Sequence, residues 1–178
     1  MGFCWGGEGC GRRTVEFVNG VERIDPSIEI VAVGCDFDPE WNFNMVRVAG
    51  EYIDCLPIHT CAFTERWGRA YEEPVAWPVA IEWNLRAIYR TAEAARRRYG
   101  ARRWIELAFD EWSVRHPEAQ PPLFSQPTCA RDAVLAGLVL NALRRLCRAV
   151  PVACFAQTVN VLPPILADDE GRVVLTPQ

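Results

Sequence analysis

The chain has 178 residues, half of them hydrophobic, so it is long enough for one substantial core and too short for two ordinary domains. A net charge of −4 and a pI near 5.3 give no general attraction to nucleic acid or to an anionic membrane. No apolar run approaches the roughly 18 residues of a membrane span, and the N-terminus lacks a charged region followed by an apolar one, so a cytoplasmic location is expected.

Residues 1–20 are glycine-rich and aperiodic, and their conformation is left open. Ile28 to Val33 is a β-branched run after Asp25-Pro26-Ser27 and predicts a buried strand closed by Gly34. Asp38-Pro39-Glu40 combines a capping residue, a proline for the first helical position and an early acid, which predicts a helix to about Ala49. A second strand is expected from Tyr52 to Ile58, ending at His59. The aromatic, charged stretch 60–77 has no period and is expected to be a loop.

Pro78 then opens a helix whose Ile81, Leu85, Ile88, Tyr89, Ala92 and Ala95 follow the helical period and which Gly100 stops. The arginines at 96–98, 102 and 103 gather at its end, where cations complement the helix dipole. Trp104 to Phe109 predicts a third strand. Residues 116–127 hold four prolines and predict a loop, after which Thr128 caps a helix from about Cys129 to Ala149. A fourth strand, Val152 to Ala156, ends at Gln157, and a turn at Asp168-Asp169-Glu170-Gly171 leads to a last apolar run, Val173 to Leu175.

Strands alternating with helices predict right-handed β-α-β units and a parallel sheet. His59, Glu111 and Gln157 each follow an apolar strand, so all three are expected at one edge of that sheet, where ligands bind. Asp110 and Glu111 point in opposite directions if the strand persists, and Glu111 is taken as the ligand-facing one. The eight cysteines contain no Cys-x-x-Cys pair and read as free thiols behaving as small hydrophobes. Periodicity alone does not separate an open doubly wound sheet from part of an eight-stranded barrel.

The segment Leu107-Ala108-Phe109-Asp110-Glu111-Trp112-Ser113-Val114 resembles the nucleophile segment of the α-L-arabinofuranosidases of glycoside hydrolase family 51. Asp132 to Leu143, Phe155 to Ile165 and Asp25 to Gly34 are similar to further blocks of that family, in the same order, so the resemblance covers residues 22–174. It implies an α/β fold comprising about the last four units of a (β/α)8 TIM barrel. Residues 1–21 form an unplaced N-terminal segment, 22–166 the partial catalytic barrel, and 167–178 the start of a truncated C-terminal β region. A complete barrel needs roughly 250 residues, so the chain is expected to be a fragment or a rearranged relative.

The same resemblance implies a retaining glycoside hydrolase that releases terminal non-reducing α-L-arabinofuranosyl residues from arabinose-containing oligosaccharides or polysaccharides. Such enzymes use two carboxyl groups about 5–5.5 Å apart, one as nucleophile and one as acid and base. Glu111 matches the nucleophile, and His59, Trp112 and Gln157 match substrate-binding positions. No metal or organic cofactor is implied. The acid is expected in a Gly-Asn-Glu triplet that this chain lacks; Gly6-Gly7-Glu8 is the nearest counterpart. Cys61 and Arg115 stand where the family has a tyrosine and a tryptophan. The alternative is a non-catalytic sugar-binding or partner-binding remnant, and self-association is left open.

Overall fold

The computed structural model describes residues 5–63, 72–121 and 126–177. The glycine-rich start that resisted placement is a helix, α1 (Gly7–Val21). It is laced by the pairs Glu8–Arg12 and Arg13–Glu16, each 2.5 Å, at helical spacings. Gly7 and Gly11 serve contact rather than flexibility. A Cβ on Gly7 would fall 2.0 Å from the Trp41 carbonyl oxygen, and one on Gly11 would fall 2.8 Å from the Val48 Cβ. Both partners lie on α2 (Pro39–Ala49), so two small residues one turn apart let the helices cross closely. α2 begins and ends where its sequence signals place it, with the Trp41 N–H donating to Asp38 Oδ1 at 2.9 Å.

The strand expected at 28–33 is reduced to a single parallel bridge, Val31 to Cys55. Its neighbour supplies the reason. The Cys55 N–H donates to the Ile30 carbonyl and Ala32 N–H to the Cys55 carbonyl, so Pro57, two residues on, faces the same side with no N–H to continue the ladder. Gly34 passes so near that a Cβ would sit 1.9 Å from the Pro57 carbonyl oxygen.

β1 (Cys55–Phe63) starts later than expected and runs past His59 into the stretch expected to be loop. α3 (Glu72–Tyr99) likewise begins before Pro78, which lies inside it. Glu72-Glu73-Pro74 is the acid-and-proline start that Pro78 seemed to supply. In the basic cluster at its end, Arg96 is half-buried, donates to Glu93 at 2.7 Å and lies over the Trp104 ring. β2 (Glu106–Arg115) extends six residues beyond Phe109. α4 (Ala130–Arg145) takes Cys129 rather than Thr128 as its cap, and β3 (Val152–Phe155) follows.

These three strands form a sheet in the order β1-β2-β3, each joined to the next through a helix. The Leu107 N–H donates to the Ala149 carbonyl and the Ala156 N–H to the Trp112 carbonyl, so β2 and β3 advance in the same direction. The architecture is α/β. β4 (Ile165–Ala167) and β5 (Val173–Leu175) form a separate antiparallel hairpin, with Ile165 opposite Leu175. Its turn is the predicted Asp-Asp-Glu-Gly stretch: Gly171 adopts φ +78°, and Asp168 Oδ1 accepts from the N–H groups of Glu170 and Arg172.

The chain divides into two compact units, 1–59 with 84–108 and 148–152, and 60–83 with 109–147 and 153–178. The first buries Met45, Ile53, Leu56, Ile58, Leu85, Ile88, Ile105 and Leu107. The second buries Ile81, Phe109, Val114, Leu135, Val139 and Leu143.

Candidate active site

Glu111, Trp112 and Gln157 belong to the second unit. Glu111 is exposed and lies within β2, not beyond its end, which corrects the expected boundary. The physical reason is that Trp112, Ser113 and Val114 are buried and continue the strand, so two carboxylates interrupt the apolar pattern without interrupting the backbone. Asp110 is half-buried while Glu111 is exposed.

Trp112 packs inward and is 4% exposed. Its ring is stacked on Phe109, with centroids 6.2 Å apart, and meets Phe155 edge-on at 4.9 Å. Its indole Nε1 is buried with no hydrogen-bond partner among the described residues. The Trp112 carbonyl accepts the Ala156 N–H at 2.9 Å, so one residue ties the Glu111 strand to the backbone that leads into Gln157.

Gln157 is exposed, and the Ala156–Gln157 peptide bond is cis. Its loop is closed by its own backbone. The Gln157 N–H donates to the Val161 carbonyl, and Asn160, at φ +61°, accepts the Ala167 N–H on its side-chain oxygen at 2.8 Å. On the far side of β2, Ser113 Oγ lies 3.3 Å from Cys61 Sγ, the cysteine that replaces the expected tyrosine.

His59 lies in the first unit, exposed in the middle of β1 rather than after it, because pairing continues to Phe63. Glu8 also lies in the first unit, in the first turn of α1. It accepts hydrogen bonds from Arg47 and from Arg12, the latter at 2.5 Å. The Arg47 bond first, then the Arg12 bond, holds its carboxyl below the ordinary value. Glu8 is the nearest counterpart of the expected catalytic acid, and its two arginine partners favour its ionised form. Among the described residues, no group of three or more His, Cys, Asp or Glu side chains could hold a metal ion.

One constellation escaped the sequence reading. His116, just past β2, is 2% exposed, and its Nε2 lies 3.0 and 3.1 Å from the two oxygens of Asp132, which is 0% exposed. Asp132 also accepts the Cys129 N–H at 2.9 Å, closing the first turn of α4. Burial pushes the Asp132 carboxyl up, but the hydrogen bonds from His116 and Cys129 outweigh it and leave the group below its ordinary value. The signal was present: an acid three residues after the residue that precedes a helix is a capping pattern, whatever the cap itself.

The described residues thus form an α/β sheet with a carboxylate exposed on a strand, aromatic rings packed beside it and an exposed amide after the next strand. The comparisons with known proteins are more specific. Residues 110–178 match the family model described as the α-L-arabinofuranosidase C-terminal domain. An intracellular exo-α-(1→5)-L-arabinofuranosidase of Streptomyces lividans is 30% identical, over 90% of this chain and 27% of its own length.

Among solved structures, the family 51 α-L-arabinofuranosidase of Thermotoga petrophila matches with a TM-score of 0.81 at 28% identity, over 97% of this chain and 34% of that one. The α-L-arabinofuranosidase of Thermotoga maritima, in complex with arabinose, gives a TM-score of 0.80 at 28% identity, over the same shares. The chain is thus similar to the α-L-arabinofuranosidases of glycoside hydrolase family 51 and spans about a third of their length.

Proposed function

We propose that the chain is the part of an exo-acting α-L-arabinofuranosidase that carries the nucleophile, with Glu111 in that role. The observation that carries this is the exposure of Glu111 on a strand fixed from behind by Trp112, whose carbonyl also anchors the backbone at Ala156 next to Gln157. In this reading residues 22–166 are the closing units of a (β/α)8 barrel, and the hairpin that ends at Leu175 opens a C-terminal β region. Gln157 hydrogen-bonds the sugar, Trp112 braces the pocket, and His59 is a substrate-binding residue on the strength of the resemblance. A cytoplasmic location accords with the intracellular relative named above.

The reaction follows the retaining scheme. A Glu111 carboxylate oxygen attacks the anomeric carbon as the bond to the departing oxygen breaks, and the electron pair leaves with that oxygen. Water then attacks the arabinosyl ester, loses its proton to solvent, and frees both sugar and carboxylate. A positioned general acid is worth about 10²–10⁴ in rate, and that gain shrinks when the leaving group departs unaided.

With Glu8 tied to two arginines, the chain is expected to act on activated aryl α-L-arabinofuranosides and far more slowly on arabino-oligosaccharides. Mass spectrometry should find one arabinosyl unit on Glu111 after exposure to a dinitrophenyl arabinofuranoside, and none in Glu111→Gln. Comparable rates on aryl glycoside and oligosaccharide would show that another carboxyl supplies the proton. A folded wild-type chain that never acquires the label would refute the nucleophile assignment.

A further inference from the structure

The His116–Asp132 pair is a buried polar feature that the scheme above leaves unused, and it lies at the end of the strand that carries Glu111. Its connections run in two directions. The Gln126 side chain accepts the His116 N–H at 2.8 Å and donates to the Val114 carbonyl at 2.8 Å, so one amide brackets the last residues of β2. The imidazole meanwhile reaches Asp132, which closes the start of α4. The His116 carbonyl accepts the Ala119 N–H at 3.0 Å, and Arg115 donates to the Ala119 carbonyl at 3.3 Å, which folds the chain back as it leaves the strand.

We infer that His116 and Asp132 are a positioning pair that locks the C-terminal end of β2 onto the first turn of α4 and thereby fixes the angle at which Glu111 is presented. The energetics support a cost met for a purpose. A carboxylate taken wholly out of water is expensive unless its lone pairs are satisfied, and Asp132 spends them on one imidazole and one helix N–H. An apolar pair of similar volume would fill this space at less cost, but it would not hold the strand end at a set distance and orientation. Four residues lie between Glu111 and His116, and Trp112 supplies the second fixed point among them. The segment 111–116 is therefore held at both ends while its carboxylate stays exposed.

This inference rests on the proposed nucleophile role of Glu111, and its test separates the two. The variants are His116→Leu, which fills the space without a donor, and His116→Gln, whose amide nitrogen can stand near the position of Nε2. Asp132→Asn serves as a second route should the leucine variant fail to fold.

Two readings are made on each folded variant: the rate of arabinosyl labelling at Glu111, resolved into kcat and KM terms, and hydrogen exchange of the amides of residues 111–116. The expected result is a fall in the kcat term of about 10²-fold in His116→Leu, the scale of a misplaced reacting group. KM should change little, exchange across 111–116 should be faster, and His116→Gln should recover most of the loss. Unchanged labelling in a folded His116→Leu chain would overturn the inference. If wild type does not label at all, the nucleophile reading falls by itself. The exchange measurement still decides the lock: unaltered protection across 111–116 in His116→Leu overturns it, and selective loss there upholds it.

Discussion

Side chains that had to be read one at a time fared differently according to whether their environment is local. Glu111, on β2, and Gln157, beyond the end of β3, are both exposed. What the pattern could not show is where backbone pairing stops. His59 and Glu111 both lie inside strands expected to end just before them, since a hydrogen-bond ladder does not depend on whether its side chains are apolar. The inward packing of Trp112 follows from Phe109 and Phe155, and Phe155 lies on another strand, so no local rule could supply it.

That packing makes Trp112 a test of the core. Trp112→Ala is expected to lower unfolding free energy by about 3–5 kcal/mol, the usual cost of emptying a large aromatic site. Trp112→Phe should cost less than about 1.5 kcal/mol, because it keeps a ring and removes an N–H that has no partner to orphan. Denaturant unfolding of both variants measures the difference. Asp132 gives a second residue-scale expectation. Its carboxyl is held below the ordinary 3.8 in the folded chain, so the stability it contributes is present above that value and fades as pH falls through the lower folded one. Unfolding followed from about pH 5 downward should show a steeper acid loss in wild type than in Asp132→Asn.

Among the elements, α2 was legible to the residue because its start signal is written in three adjacent positions. α1 was not, because its glycines look like loop composition until α2 is placed against them. The 28–33 segment was expected as a buried strand, yet it is half-buried or exposed and carries a single bridge, since its pairing depends on Pro57 more than twenty residues away. The contrast between glycines can be measured. Gly7→Ala would drive a methyl into the Trp41 carbonyl and should cost about 1–3 kcal/mol as the helices separate. Gly137→Ala, inside α4 with nothing within 4 Å of the added carbon, should gain about 0.5–1 kcal/mol from helix propensity. Thermal or urea unfolding should move in opposite directions for the two.

For the whole molecule, the alternation of strands and helices conveyed the α/β class, because each unit is local in sequence even though its pairing is not. The C-terminal hairpin follows a different logic. β5 is the end strand of a two-stranded sheet, and its Val173, Val174 and Leu175 are all exposed, so a short apolar strand offers an open edge without the charge or proline that ordinarily guards one. The chain is accordingly expected to self-associate as concentration rises. Val174→Lys places a charge at the centre of that edge, on a residue opposite Leu166. The apparent mass by light scattering should then stay nearer the 20.1 kDa monomer than it does in wild type, while the unfolding free energy changes by no more than about 0.5 kcal/mol. An unaltered concentration dependence in Val174→Lys would place the association elsewhere on the molecule, because a buried ammonium at that position is incompatible with strand addition.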